Sequence, residues 1–362
     1  MIARIPIRFK LAGIFLFLTL APVVIIGAFS YCSFKAALTQ KIVRYSLDGL
    51  IQTVSNIQLK LAEFENISVR LFINQEFNDT ITSYLAATDA KTISRKKRDI
   101  ESYFNEYMIT NPDIYAFMFI CGANAERSIV IAKDDYPDFI NLTRNFKATA
   151  TYQNILKAGG GIVWSSSIKL NLSHYLVLGR QIKDSLSGES RGILAIIIDE
   201  EKIDHLSNLN IYNQLNLSLG EIDNYGLIIN SRGELISTPF KEDIGKNIAA
   251  IMRDIKPLKK ILAGSVSDRD YGSEINQGSF ITEVNHKQSL VVYKTIGSKI
   301  GVGGKSGWHL LRITPTSNLY GEVSMVGLLT MLTGLVFGIL AVLSAIYIAA
   351  NCRSIRHFEA KH

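Results

Sequence analysis

Few residues in this sequence have the types and spacing that catalysis or metal binding requires. Residues 299–306 end in Gly-Lys-Ser, as a phosphate-binding loop does, but Lys299 stands where that loop has its first glycine, and a strand pattern follows where a helix is needed. His174 has no second metal ligand at a useful spacing. No nucleophile-elbow, paired-cysteine or HExxH pattern occurs. We therefore expect a non-enzymatic protein without metal or cofactor, whose chemistry is the binding of a ligand.

The charge distribution argues against a nucleic-acid partner. The formal net charge is +7, but the first ten and last ten residues hold six basic side chains and one acidic side chain. The residues between them carry 33 basic and 31 acidic side chains, which is nearly neutral. Such a balance provides no basic surface for a phosphate backbone. Cys121 is the only cysteine between the two apolar ends of the chain, so no disulfide is expected within that part.

Both ends of the chain carry an uncharged apolar segment, residues 11–34 and 323–352. Each exceeds the roughly 20 residues that a membrane helix needs. Basic residues flank both segments on their outer sides: Arg4, Arg8 and Lys10 before the first, and Arg353, Arg356 and Lys361 after the second. By the positive-inside rule, both termini should be cytoplasmic. The alternative for the first segment is a cleaved signal peptide, but the segment is longer than the usual apolar core of roughly 7–15 residues. We predict a multi-pass protein of the plasma membrane with residues 35–322 extracytoplasmic.

A long amphipathic helix should follow the first membrane segment. Apolar residues recur every three or four positions from residue 38 to residue 71, and no proline interrupts them before Asn74. This stripe has two interpretations, packing on its own domain or contact with a second copy of the chain. Gly334 and Gly338 form a small-xxx-small pattern in the second apolar segment, which gives weak support to helix pairing. We expect a homodimer formed through this stalk helix and the membrane helices.

The rest of the chain repeats one order of elements. A hairpin, a helix and three further strands are predicted at residues 114–120, 128–132, 152–157, 162–166, 175–182 and 192–199. The same order recurs at residues 226–230, 234–237, 248–262, 279–284, 289–296 and 308–313, with Pro257 marking a break or restart in the helix. Further helices are predicted at residues 92–108 and 200–217. The fold class is therefore α+β with antiparallel sheets.

Four stretches, taken in order, resemble a double Cache sensor domain. They are GILAIIIDEEKI from Gly192, GLIINSRGELIS from Gly226, DIGKNI from Asp243 and WHLLRITP from Trp308. The resemblance implies two PAS-like modules stacked along the long N-terminal helix, with a transmembrane helix on either side. It is closest to receptor histidine kinases of Gram-positive bacteria. Arg353-Ser354-Ile355 resembles the start of their HAMP linker without its proline, and the cytoplasmic output part is expected to be missing from this chain.

The resemblance and the apolar segments together divide the chain into seven parts. These are a cytoplasmic N-terminus (1–10), transmembrane helix 1 (11–34), the stalk helix (35–74), a membrane-distal module (75–200), a membrane-proximal module (201–320), transmembrane helix 2 (323–350) and a HAMP-like start (351–362).

The resemblance also points to a ligand site in the distal module. Members that bind amino acids carry Arg-x-Trp-Tyr and a later aspartate, whereas this chain has Arg144-Asn145-Phe146-Lys147 and Ile197. Because the carboxylate partner of an α-amino group is lost, we expect free amino acids to be poor ligands. Candidate pocket residues are Arg144, Trp164, Tyr175 and Arg180. The alternative places Trp164 in the core and both arginines at the surface.

The expected function is that of an extracytoplasmic small-molecule sensing module in a transmembrane signalling receptor. A ligand-induced shift would pass to the second membrane helix. Two alternatives remain open. One is a membrane-anchored accessory protein that binds a ligand or partner, and the other is an extracytoplasmic enzyme.

Overall fold

A computed structural model describes most of the chain. The described residues are 7–122, 125–134, 141–143, 145–170, 173–184, 187–212, 223–262, 276–297, 307–317, 319, 329, 332–340, 342–344 and 347.

Three helices open the described chain. Helix α1, Ile7–Ile73, is continuous over 67 residues, with Pro22 inside it. The Asn74 side chain then accepts a hydrogen bond from the Phe77 amide at 2.9 Å, which caps α2, Gln75–Ala86. Helix α3, Ala90–Thr110, is capped in the same way by Asp89. The helices predicted at residues 35–74 and 92–108 are present within α1 and α3, whereas α2 was not predicted.

The first sheet is antiparallel and has the strand order β2-β1-β5-β4-β3. Its strands are β1 (Ile114–Cys121), β2 (Ile129–Ala132), β3 (Val163–Leu170), β4 (Ser173–Lys183) and β5 (Ser190–Asp199). Helix α4, Ala150–Lys157, lies between β2 and β3 in the chain. Short 3₁₀ turns occur at Ala125–Arg127 and Phe146–Ala148. All five predicted strands are present.

Helix α5, Glu200–Ser207, follows β5 without a loop because Asp199 caps it by accepting from the Glu201 amide at 3.1 Å. After Asn208, α6 covers Leu209–Tyr212. The predicted helix over residues 200–217 is thus two short helices as far as residue 212, and residues 213–222 lie outside the described part.

The second sheet repeats the topology of the first, in the order β7-β6-β10-β9-β8. Its strands are β6 (Tyr225–Ile229), β7 (Leu235–Ser237), β8 (Gln277–Val284), β9 (Lys287–Ile296) and β10 (Trp308–Pro315). All neighbouring pairs are antiparallel. The prediction of two antiparallel sheets behind a long N-terminal helix is confirmed.

The predicted helix over residues 248–262 is wrong for most of its length. The chain forms 3₁₀ turns at Lys241–Asp243, Ile248–Ala250 and Lys256–Leu258, and only Lys259–Leu262 is α-helical, as α7. Pro257 lacks an amide hydrogen and has a fixed φ, so it suits a turn and a helix start and cannot continue a helix.

The apolar stripe of α1 packs within its own chain. Leu50, Ile57, Phe64 and Leu71 are completely buried. The first of the two interpretations of this stripe therefore accounts for it, and the predicted homodimer through this helix stays a prediction.

The chain divides into two compact units, residues 46–315 and residues 1–45 with 316–362. The first contains both sheets. The second contains most of the large apolar side chains that are exposed, among them Phe17, Phe29, Leu335 and Phe337. Within the described positions, no helix combines the length and apolarity that a bilayer crossing requires. Half of the predicted second membrane helix, residues 323–350, lies outside those positions.

Candidate ligand-binding site

The two faces of the first sheet pack against different elements. On one face, which we call the α1 face, Phe117 stacks on Phe104 of α3 and the Trp164 ring meets Phe64 of α1 edge-on. On the opposite face, the α4 face, Ile155 of α4 packs against strand residues such as Val177. Successive side chains of a strand point to opposite faces, so odd and even positions meet different surroundings. An irregularity between Ile114 and Ala116 of β1 interrupts this alternation and lets Tyr115 lie on the face opposite Phe117.

Aromatic side chains with hydroxyl groups collect on the α4 face. The rings of Tyr115 on β1 and Tyr175 on β4 lie 4.6 Å apart between centroids and are inclined at 46°. Tyr152 on α4 meets Phe146 edge-on at 6.0 Å. Tyr115, Tyr175 and Phe146 are buried, and Tyr152 packs against the same cluster. The rings of this cluster are apolar, and its polar atoms are the phenol oxygens.

A carboxylate stands at the edge of this aromatic cluster. The Tyr115 hydroxyl donates to Asp134 Oδ2 at 2.9 Å, and Asp134 itself is solvent-exposed just beyond the end of β2. Burial, and then hydrogen bonding with Asp134 and Tyr175, raises the pKa of Tyr115 far above its ordinary value. The phenol is therefore neutral at all physiological pH values and serves as a hydrogen-bonding group.

Three further hydroxyl groups lie on the same face. Thr151 Oγ1 donates to Ser165 Oγ at 3.0 Å, which joins α4 to β3. Thr143 Oγ1 lies 3.8 Å from the Met118 sulfur. Ser165 and Thr143 are each 8 % exposed. The face thus combines aromatic walls with a few polar groups, which is the usual composition of a small-molecule site.

The structure divides the predicted site residues between the two faces. Tyr175 belongs to the aromatic cluster of the α4 face. Trp164 and Arg180 belong to the α1 face: the indole Nε1 donates to Glu65 Oε1 at 2.8 Å, and the guanidinium lies 4.2 Å from the centre of the Phe72 ring. Arg144 lies outside the described residues. The structure therefore does not bring Trp164 and Arg180 together with Tyr175.

Packing accounts for Trp164 and Arg180. Trp164 also meets Trp308 of the second sheet edge-on at 5.6 Å. Arg180 Nε donates to the Gly160 carbonyl at 2.8 Å, and burial lowers the pKa of its guanidinium. Trp164 is partly buried between α1 and the second sheet, and Arg180 is half-buried on a phenylalanine ring.

Sequence reasoning missed Tyr115, Tyr152 and Asp134. Tyr115 stands near the start of the predicted strand at residues 114–120, and Asp134 comes directly after the strand that pairs with it. An acidic residue just past the partner strand was a usable signal. Ile197, at the place of the family's aspartate, is completely buried on the α4 face.

A concavity lined by Arg127 and Arg191 has a structural explanation. Arg127 donates to the Tyr84 carbonyl at 2.6 Å and the Ala87 carbonyl at 2.7 Å. Arg191 donates to the Asn78 carbonyl at 3.0 Å and pairs with Asp184. Both arginines attach α2 to the sheet. Among the described residues, no group of histidine, cysteine or acidic side chains is arranged to hold a metal ion.

Neither a protein-family model nor a curated protein sequence matches this chain. Solved structures do match. The ligand-binding domain of the Pseudomonas aeruginosa amino acid chemoreceptor PctC, in complex with GABA, has a TM-score of 0.47 at 14 % identity over 75 % of this chain and 98 % of its own. The sensory domain of the Campylobacter jejuni chemoreceptor Tlp3 gives 0.48 at 12 % identity over 79 % and 98 %. The extracellular domain of mmHK1S-Z3, assigned as a histidine kinase, gives 0.48 at 13 % over 80 % and 98 %. These values are too low to transfer a ligand or an activity to this chain.

Proposed function

We propose that this chain is the extracytoplasmic small-molecule sensing module of a transmembrane receptor. The observation that carries the proposal is the joined group of Tyr115, Tyr175 and Asp134 on the α4 face. Two phenol rings and a carboxylate are brought together there from β1, β4 and the end of β2. The carboxylate accepts the hydrogen bond that the buried phenol needs, and because Asp134 is also exposed it remains accessible to a small molecule with an apolar body and a donor group.

We infer that the ligand has a hydrogen-bond-donating or cationic group for Asp134 and an apolar portion for the tyrosine rings. A cation is attracted to the faces of aromatic rings as well as to a carboxylate. The expectation that free amino acids bind poorly rests on Ile197, which offers no carboxylate. Asp134 offers one at a different place on the same face, so small amines are the class to test first.

The membrane topology is part of the proposal. The exposed apolar side chains of residues 14–34 and 329–347 support two membrane helices, because large apolar surfaces in water are unfavourable. The basic residues on the outer sides of both segments support a cytoplasmic location for the two termini. We propose that residues 35–322 face the exterior of the plasma membrane, and that homodimers form through the membrane segments.

The signal is proposed to pass through the packed contacts between the sheets. Trp164 and Trp308 join the two sheets, and β10 ends at Pro315, just before the second membrane segment begins. A ligand that binds one arrangement of the α4 face better would shift the population and displace β10. We propose a receptor of the double Cache class, as in Gram-positive histidine kinases. Its output would come either from the same polypeptide or, in the accessory alternative, from a partner protein.

The test is ligand binding by the full chain. A thermal-shift screen with a library of amines, amino acids and carboxylates should give at least one hit, and titration calorimetry should then give its affinity. Asp134→Asn should weaken that affinity roughly 10- to 100-fold, because a hydrogen bond to a charged group contributes about 1.5–3 kcal/mol. Asp99→Asn on α3, the same substitution away from the site, should leave it unchanged.

Equal affinities for the two variants would remove the α4 face from consideration. A cysteine placed at Lys287, which is exposed, tests the topology separately. If an impermeant reagent labels this cysteine only after the membrane has been opened, the domain is not extracytoplasmic.

A further inference from the structure

Helix α5 is the direct connection between the two sheets. It continues from β5 of the first sheet without a loop. At its other end, Asn208 exchanges two hydrogen bonds with Gly226 of β6, at 2.9 and 2.6 Å. Arg312 of β10 donates to the Ser207 carbonyl at 3.0 Å. Any change in the packing of α5 therefore acts on both sheets.

Two carboxylates of α5 are buried around one ammonium group. Glu200 and Asp204, one helical turn apart, are both 0 % exposed. Lys241, in the turn after β7, places Nζ 2.6 Å from Glu200 Oε2 and 2.8 Å from Asp204 Oδ2. With all three groups ionised, the cluster carries one uncompensated negative charge in the interior. Burial of such a charge is unfavourable, and binding of one proton removes it.

The hydrogen bonds single out Glu200 as the group that takes the proton. Asp204 has partners for both oxygens, since Asn208 Nδ2 donates to Oδ1 at 2.7 Å. Glu200 Oε1 is buried without a well-formed hydrogen bond among the described residues, and its neighbour is the Ser237 hydroxyl, whose interaction favours the ionised carboxylate. A proton on Oε1 would convert an unpaired acceptor into a donor that faces Ser237. Asp204 gains no comparable contact from a proton.

The other charged groups around the cluster leave this assignment unchanged. His174 of β4 faces Lys241 from the first sheet, and burial, with Lys169 and Lys241, lowers the pKa of its imidazole. Glu201, Lys202 and His205 on α5 are exposed to solvent. Burial raises the pKa of Glu200 to about 7, with Asp204 acting in the same direction and Lys241 and Ser237 opposing it. The charges of Glu200 and Asp204 raise the pKa of Lys241, so Lys241 stays protonated.

We propose that the Glu200–Asp204–Lys241 cluster binds one proton reversibly, and that this proton makes the connection between the two sheets sensitive to pH. The protonated cluster is neutral and closed. Loss of the proton, expected around neutral pH, leaves a buried negative charge and loosens the contact of α5 with the turn that carries Lys241. This would be a second input to the protein, separate from the small molecule proposed for the α4 face.

The test compares the pH dependence of stability in the wild-type chain and in Glu200→Gln. Glutamine has the shape of the protonated acid and cannot titrate. Because the folded state holds this proton more tightly than the unfolded state, folding should weaken as the pH rises through 7. The unfolding equilibrium constant of the wild type, relative to that of Glu200→Gln, should rise on the order of 100-fold between about pH 5 and pH 8. Urea unfolding of the full chain measures it.

Two matched variants control this comparison. Glu201→Gln changes the exposed neighbour on the same helix and should keep the wild-type profile. His174→Gln should also keep the fall of stability with rising pH, because burial lowers the pKa of His174 and its titration therefore acts in the opposite direction. A Glu200→Gln variant with the wild-type pH profile would overturn the proposal.

A direct measurement avoids any dependence on how a variant folds. Hydrogen exchange of the α5 amides in the wild-type chain, corrected for the intrinsic rate, should accelerate relative to the amides of α3 as the pH rises from about 5 to about 7, and level off above that. The ¹³Cδ carboxyl resonance of Glu200 should titrate in the same range. A carboxyl that titrates near its ordinary value overturns the proposal, whatever the outcome of the ligand screen.

Discussion

Replacement of Gly179 by alanine tests how closely α4 covers the candidate ligand-binding site. Gly179 lies on β4 and faces α4. A methyl group at this position would stand 2.1 Å from Ile155 Cδ1 and 2.7 Å from its Cγ1. Ile155 is completely buried, so it can yield only if α4 lifts or if its neighbours on the α4 face repack. The glycine is therefore required for the close approach of the helix.

The size of the effect follows from two opposing contributions. Overpacking of a filled core costs about 1–3 kcal/mol. Replacing glycine in a strand recovers about 0.5–1 kcal/mol of chain entropy. Gly179→Ala should therefore lower the free energy of unfolding by about 0.5–2 kcal/mol in urea titrations of the full chain. It should also weaken ligand binding on the α4 face, because Tyr152 moves with α4.

A double-mutant cycle isolates the contact. Ile155→Ala alone should cost about 2–5 kcal/mol, because it leaves a cavity. In Ile155→Ala/Gly179→Ala the added methyl group partly fills that cavity, so the double variant should be at least about 1 kcal/mol more stable than additivity predicts. Gly49→Ala is the matched control, because nothing lies within 4 Å of the added methyl group there and a helix interior favours alanine. If the losses of stability in the two single variants sum to that of the double variant within about 0.5 kcal/mol, the proposed close packing of α4 is refuted.

Three further predictions concern buried polar groups. Trp164→Phe should lower the free energy of unfolding by about 1–3 kcal/mol, because buried Glu65 loses the indole donor, and unchanged urea unfolding would contradict this role. Burial lowers the pKa of His309 to about 4. The neutral imidazole therefore contributes about 3 kcal/mol to the free energy of unfolding, which is complete above pH 6.5 and is lost as the pH falls towards 4. His309→Gln should flatten that acid limb of the stability profile, and an equally steep limb would show that another group causes it. Lys241→Met should cost about 3–5 kcal/mol by leaving two buried carboxylates unpaired, and Glu200→Gln in the same chain should restore part of it if the charge is the cause.

Local patterns in the sequence were sufficient to predict where the strands lie. Strand alternation and turn residues located all ten strands, because each strand has to alternate between two environments and each turn needs residues that tolerate it. The repeated order of elements also anticipated two sheets of the same topology, since short antiparallel connections leave few ways to pair the strands. Pro257 marked the break in the predicted helix, but not how much of that helix would become 3₁₀ turns.

Only the tertiary structure decided which side chains meet. Trp164, Tyr175 and Arg180 lie on neighbouring strands, yet parity and strand register send Tyr175 to the α4 face and the other two to the α1 face. A shift of one residue in register reverses every side chain of a strand, and the irregularity between Ser165 and Ile168 of β3 is invisible to a periodic pattern. The cluster around Lys241 joins residues about 40 positions apart, a proximity that arises only when α5 packs against the second sheet. Periodicity along the chain therefore determines elements, whereas sites depend on contacts between elements that no local pattern encodes.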